Sequence, residues 1–83
     1  MNQKKQSKQY PQMKDITAQL VDLRKQRGIT QAELSERIGM TERYVAAWEC
    51  GQKNPRLFNL FCWLEALNAK LRVVANDNLN TES

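Results

Sequence analysis

A helix-capping signal followed by two close glycine stops constrains this chain more than any other feature. Thr30 and Glu33 form a T-x-x-E capping box, in which each side chain can accept a hydrogen bond from the other residue's amide. Gly39 ends the helix that begins there, and Thr41, a good N-cap residue, begins another after one intervening residue. The sequence therefore predicts two short helices, the second from about Glu42 to Cys50, joined by a tight turn.

Helical spacing of apolar residues predicts further helices on both sides of this pair. From Asp15, a stripe of Ile16, Leu20 and Leu23 indicates a helix that ends at Gly28, with three basic residues outside the stripe: Arg24, Lys25 and Arg27. After the stop at Gly51, Asn54-Pro55 predicts the start of another helix, because proline is favoured at the first helical position. Its predicted apolar stripe is Leu57, Leu60, Phe61, Leu64 and Leu67, with Trp63 beside it.

The core is predicted from the same spacing. Leu34 and Ile38 form the inward pair of the second helix, and Val45 and Trp48 that of the third. Trp63 is also assigned to the core, and the small Ser35 lies where another helix could cross closely. Two short helices joined in this way, supported by two others, have the geometry of a helix-turn-helix.

Composition and charge narrow the class. Eighty-three residues suffice for one domain, and no apolar run approaches the roughly 20 residues of a membrane span, so we expect a cytoplasmic protein that does not contact the membrane. Residues 1–14 contain four lysines and no acidic residue, which predicts a flexible basic arm that either adds phosphate contacts or only solubilises the chain. Residues 15–75 are predicted to form the domain and 76–83 a flexible tail.

The residue types that carry most catalysis and metal binding are missing or isolated. Histidine is absent, which removes the commonest general base and the usual partner of cysteine at zinc. Cys50 and Cys62 are expected to be reduced thiols, because no secretory signal is present. We therefore expect no enzyme activity, no metal and no cofactor.

A short strand is predicted at residues 70–75, where Leu71 and Val73 alternate with Lys70 and Arg72. A single strand cannot pair its own backbone groups. It needs a partner, most simply the same strand of a second subunit.

These residues together resemble the Xre, or Cro/CI-like, helix-turn-helix regulators. The resemblance rests on the run from Ile29 to Gly39, the W-E-x-G-x-x-x-P run from Trp48 to Pro55, Val45 and the leucine spacing that follows, and it covers about residues 16–67. It implies an all-α, compact four-helix, lambda-repressor-like DNA-binding domain. The strand at 70–75 makes the end of the chain similar to HipB-type antitoxin regulators, in which paired strands join two subunits.

The resemblance also implies roles for individual residues. Gln31, at the start of the second helix, contacts a phosphate, a role that suits the positive end of a helix. The predicted base-contacting residues are Glu42, Arg43, Ala46 and Ala47. The other predicted phosphate contacts are Tyr44, Gln52, Lys53, Asn54 and Arg56, with Tyr44 and Ala46 at the edge of the groove.

The chemistry of the third helix indicates what its outer face could read. Arg43 can make a bidentate contact to guanine, or else a phosphate contact or ion pair. Ala46 and Ala47 can lie against thymine methyl groups or simply allow close approach. Glu42 is unexpected, because phosphates repel its carboxylate unless it accepts from a cytosine amino group or pairs with Arg43. Glu49 is predicted to tie the third helix to its neighbours rather than to contact DNA.

Two hypotheses follow. The first is a homodimeric transcriptional regulator, acting as an autoregulating repressor, that binds an inverted-repeat operator in double-stranded DNA, with a dimer interface that includes Phe58, Cys62, Leu71 and Val73. The second is a protein-binding antitoxin or anti-activator that grips a toxin or other protein with the same fold, as Glu42 and the apolar pair Phe58 and Cys62 suggest. A lesser possibility is that residues 1–14 alone bind nucleic acid. A mobile-element setting is a family-level expectation.

Overall fold

The computed structural model describes residues 11–75 and consists of four helices in that range. They are α1 (Pro11–Gln26), α2 (Gln31–Ile38), α3 (Glu42–Glu49) and α4 (Leu57–Ala66). Helix α2 packs against both α3 and α4, and α1 packs against α3. The all-α, four-helix prediction is confirmed.

Helix α1 begins earlier than predicted. Pro11 is its first residue, so residues 11–14, assigned to the basic arm, belong to the helix instead. Proline suits this position, because its missing amide would have no partner in the first turn and its fixed φ is helical. Residues 1–10 of the predicted arm and the whole tail, 76–83, lie outside the described residues.

The two short helices and their turn are confirmed. The Thr30 hydroxyl accepts from the Glu33 amide at 3.0 Å, and the Glu33 carboxylate accepts from the Thr30 amide at 2.9 Å. Gly39 ends α2 in the left-handed region at φ 85°, which a residue with a Cβ rarely adopts. Thr41 occupies the N-cap position of α3, but its side chain makes no capping hydrogen bond.

Helix α4 differs from the prediction at its start and in its exposed face. It begins at Leu57 with Arg56 as N-cap, so the assignment of Asn54-Pro55 to its start is wrong. Proline's φ fits both the first helical position and an extended segment, so Pro55 alone could not decide between them. Leu57 and Phe61, predicted to face the core, are exposed, whereas Trp63 lies in it.

One core joins the four helices. Its fully enclosed side chains include Leu34, Val45, Trp63 and Leu67, and Leu20, Ile29, Trp48, Leu60 and Leu64 complete the buried apolar cluster. Ile16, Leu23 and Ile38 pack against that cluster while half-buried. Apart from Leu57 and Phe61, the predicted core is confirmed.

The segment after α4 forms no helix or strand within this single chain. Ala69 donates its amide to the Leu64 carbonyl at 2.8 Å, but residues 70–75 make no backbone hydrogen bond to any other part of the described chain. A strand exists only through pairing, so the predicted pairing of 70–75 across a dimer stays a prediction. Within residues 11–75, no helix has the length and apolar character required to cross a membrane.

Candidate nucleic-acid interface

Helix α3 is anchored by one face and open on the other. Val45 and Trp48 are buried, and the Trp48 ring stacks on Trp63 of α4 with centroids 5.8 Å apart and planes 29° apart. Glu42 and Arg43 on the outer side are exposed, and Ala46 and Ala47 are half-buried. The outer face of α3 is thus not sealed against the rest of the described chain and can meet another molecule.

A shallow open depression runs along this outer face. Its lining includes the small side chains of Ala46, Ala47 and Cys50, and Arg43 and Lys53 bring positive charge to it. Thr41, Tyr44 and Gln52 complete its lining. Six of the residues predicted to contact DNA therefore share one surface, which combines small apolar side chains with basic ones.

Glu42 is exposed and does not line this depression. It lies in the first turn of α3, where a negative side chain interacts favourably with the positive end of the helix. This position accounts for an acidic residue here whether or not it contacts DNA, and the predicted base contact of Glu42 stays a prediction.

The segment after α3 is fastened to the end of that helix. The amides of Gln52 and Lys53 both donate to the Ala47 carbonyl, at 2.9 and 3.1 Å. Their side chains are exposed and line the depression, whereas Asn54 and Arg56 are exposed but do not line it. Gln52 and Lys53 consequently hold a fixed relation to the outer face of α3.

The N-terminus of α2 presents free amides. The capping box uses the amides of Thr30 and Glu33, while those of Gln31 and Ala32 have no acceptor among the described residues. Helix α2 also has its positive dipole end here, so the site suits an anion. The Gln31 side chain is half-buried and donates from Nε2 to Glu49 Oε1 at 2.9 Å.

A buried ion pair connects this site to α1 and α3. Arg24 Nε and Nη2 donate to the two Glu49 carboxylate oxygens at 2.7 and 2.9 Å, and Nη1 donates to the Ile29 carbonyl at 2.7 Å. The predicted role of Glu49 in tying α3 to its neighbours is confirmed. Placing Arg24 outside the buried stripe of α1 was wrong, since only 10% of its side chain is exposed.

The spacing of Thr17, Leu20 and Arg24 is the sequence pattern that indicates burial of Arg24. These residues recur at three and four positions along α1, and all three are buried. A charged residue in register with a buried face needs an opposite charge from elsewhere in the chain. Only the fold shows that Glu49 supplies it.

The predicted dimer residues lie on two surfaces. Phe58 is 75% exposed and Cys62 is half-buried on α4, where Leu57 and Phe61 extend the exposed apolar surface. Leu71 and Val73 instead border an open groove whose other wall is α1, with Ile16, Leu20 and Leu23 in its lining. The groove does not include Phe58 or Cys62.

No cluster of three or more potential metal ligands occurs in residues 11–75. The chemistry of the interface is that of hydrogen-bond donors, positive charge and small apolar side chains. Such a set can bind a polyanion and contact the edges of its bases.

Four short helices, with α3 anchored on one side and open on the other, define a helix-turn-helix domain. The chain belongs to the Helix-turn-helix family, whose model matches residues 20–74. The Xre or Cro/CI-like resemblance is thereby confirmed.

An individual protein with a similar sequence carries a name of the same class. The HTH-type transcriptional regulator y4dJ of Sinorhizobium fredii is 36% identical over 45 residues, which cover 54% of this chain and 58% of that protein. This chain thus matches little more than half the length of that relative.

Two solved structures share the fold. A chain in the structure of a HipA-HipB-O2-O3 complex superposes with a TM-score of 0.71 at 25% identity, covering 83% of this chain and 96% of that one. A chain in a toxin–antitoxin module from Streptococcus pneumoniae superposes with a TM-score of 0.62 at 30% identity, covering 77% and 70%.

Proposed function

We propose that this chain is a sequence-specific, double-stranded DNA-binding transcriptional regulator that acts in the cytoplasm without catalysis. It binds an inverted-repeat operator as a homodimer, with α3 in the major groove of each half-site. It represses by excluding polymerase, including at its own promoter. The observation that supports this proposal most directly is the open outer face of α3, a helix that Val45 and Trp48 fix to the core.

The distribution of donors supports this docking. Arg43 lies on the outer face, where it can read guanine, and Ala46 and Ala47 can approach thymine methyl groups. Phosphate contacts come from the free backbone amides of Gln31 and Ala32 and from side chains in and near the depression. Those side chains are Tyr44, Gln52 and Lys53, which line the depression, and Asn54 and Arg56, which lie outside it. Base contacts and phosphate contacts would then occur on one side of the domain.

The exposed apolar surfaces support a second copy as partner. Phe58 and Cys62 on α4, and Leu71 and Val73 after it, leave apolar area open that a dimer would cover. Two-fold symmetry would present two α3 helices to successive major grooves about 34 Å apart, one helical turn of DNA.

Selection from a random pool of DNA duplexes with the full chain tests the proposal. We expect enrichment of a palindrome whose half-sites are separated by about 10 base pairs, or a multiple of one helical turn. Sedimentation of the recovered complex should give two chains per duplex. If the folded chain enriches no sequence, the proposal is overturned.

A second function is favoured by the exposed α4 surface and by the kinds of assembly in which the structural neighbours occur. One neighbour lies in a HipA-HipB complex and the other in a toxin–antitoxin module. In this second function the chain is an antitoxin or anti-activator. Its exposed residues Leu57, Phe58 and Phe61 then hold another protein, such as a toxin.

Salt dependence separates the two functions. Affinity for DNA should fall steeply as salt rises, because binding releases counterions from the phosphates. An apolar protein contact should change little over the same range. Tight binding to a protein with no measurable duplex binding at low salt would favour the second function.

A further inference from the structure

Glu49 joins a structural ion pair to the proposed DNA-contacting surface. Its Oε1 atom accepts from both Arg24 Nη2 and Gln31 Nε2, each at 2.9 Å. Its Oε2 atom accepts from Arg24 Nε at 2.7 Å. Only 6% of the Glu49 side chain is exposed, so water does not compete strongly for these hydrogen bonds.

Joining helices is not in itself a reason for a buried ion pair at this place. A buried pair replaced by apolar side chains of similar volume often leaves stability unchanged or increased. An apolar pair could fill the space between α1 and α3, but it could not accept a hydrogen bond from Gln31. An acidic residue at position 49 can therefore accept a hydrogen bond from Gln31, whereas an apolar residue cannot.

Anchoring Gln31 determines where its remaining donor points. One Nε2–H is used by Glu49, and no other acceptor for Nε2 occurs in the described chain. Because the amide group is planar, fixing the first N–H also fixes the direction of the second. The Gln31 and Ala32 backbone amides, which are also free, lie at the same helix end.

We propose that Glu49, held by Arg24, is a positioning residue that orients the Gln31 amide for contact with a DNA phosphate. The inference rests on the proposed function, since it assigns Gln31 a phosphate partner. In this proposal neither Arg24 nor Glu49 touches DNA: Glu49 acts through Gln31, and Arg24 acts by holding Glu49 and the Ile29 carbonyl, two residues before Gln31. Pre-ordering the side chain removes an entropic cost that binding would otherwise carry.

A double-mutant cycle tests this coupling. The background variant is R24M/E49M, which removes both charges together and avoids leaving one buried and unpaired. Gln31→Ala is introduced into the natural chain and into this background, and all four chains are titrated with the duplex recovered from random-pool selection. Thermal unfolding of each chain establishes that it is folded at the assay temperature.

We expect Gln31→Ala to weaken binding by about three- to tenfold in the natural chain, the range given by immobilising one such side chain. In the R24M/E49M background the same change should alter affinity by less than about twofold, the limit of additivity. Arg37→Met is the matched control, because Arg37 donates to the Ala66 carbonyl and has no hydrogen bond to Gln31 or Glu49. Gln31→Ala should retain its full effect there.

Relaxation of the Gln31 side-chain amide in the free natural chain gives a second measurement that needs no variant. A held amide should approach the order parameter of about 0.85 that marks rigid backbone, whereas a value below about 0.6 would overturn the anchoring. An equal effect of Gln31→Ala in both backgrounds would overturn the inference and leave the proposed function intact. Absence of duplex binding by the folded natural chain would overturn both.

Discussion

The helix-turn-helix half of the molecule and the α4 half treat their apolar residues differently. Leu34 and Val45, on α2 and α3, are completely buried, whereas Leu57 is 64% exposed and Val73 is 95% exposed. The apolar side chains of α2 and α3 thus pack mainly within one chain, with Tyr44 as the large exposed one, whereas those of α4 are divided between the core and the surface. The second half leaves an exposed apolar surface of the kind that a partner molecule covers in other proteins. The proposed DNA contacts and the proposed contacts with a partner therefore fall on different helices.

The largest difference between the two halves is expected when one leucine in each is truncated. Leu34→Ala removes a fully enclosed side chain and should lower the free energy of unfolding by about 2–5 kcal/mol. Leu57→Ala removes an exposed side chain and should change it by no more than about 0.5 kcal/mol in dilute, monomeric protein. Urea unfolding followed by circular dichroism measures both. Equal losses would show that the two halves do not differ in this way.

The exposed half is tested next by placing a charge on it. Phe58→Asp should weaken self-association by about 2 kcal/mol or more, since a desolvated aromatic anchor commonly contributes that much. Asn59→Asp, one residue along the same helix, adds the same charge beside the patch and is the control. Sedimentation across a concentration series measures both. An unchanged dimer constant for Phe58→Asp would remove α4 from the interface.

The DNA contacts proposed for the helix-turn-helix half are tested on the outer face of α3. Arg43→Ala should weaken binding to the selected duplex by about 1–3 kcal/mol and relax the preference at one base position. Lys53→Ala, on the same depression, should weaken binding to all sequences alike and reduce the slope of affinity against salt by about one unit per subunit. Titrations at several salt concentrations separate these results. Reversed behaviour would exchange the two assignments.

The same contrast explains how far the sequence could predict this structure. Helices α2 and α3 are specified by local signals, the capping box and the glycine stops, and these were predicted closely. The spacing of Thr17, Leu20 and Arg24 along α1 indicates that Arg24 is buried, but its partner Glu49 lies 25 residues away, so the local pattern could not reveal the ion pair. Apolar character at Leu57 and Phe61 indicates that a side chain avoids water. It does not specify whether its cover is the same chain or another.

The outer face of α3 shows the same division between local pattern and fold. Exposure of Arg43 and half-burial of Ala46 follow from helical spacing opposite Val45 and Trp48. The link from Gln31 to Glu49 joins the first residue of one helix to the last of the next, and spacing gives no indication of it. The exposure of these α3 side chains was thus predictable, and the contact between Gln31 and Glu49 was not.

The two N-caps of the helix-turn-helix give the smallest expected effect and the finest test of how local its stability is. Thr30→Ala removes a hydroxyl that accepts from Glu33 and should cost about 1 kcal/mol of unfolding free energy. Thr41→Ala changes the same residue type at the next N-cap, where the side chain makes no capping bond, and should cost clearly less. Both threonines are exposed, so loss of burial contributes little to either variant. Thermal unfolding of the two variants side by side measures the difference, and a greater loss at Thr41 would show that a capping bond forms there in solution.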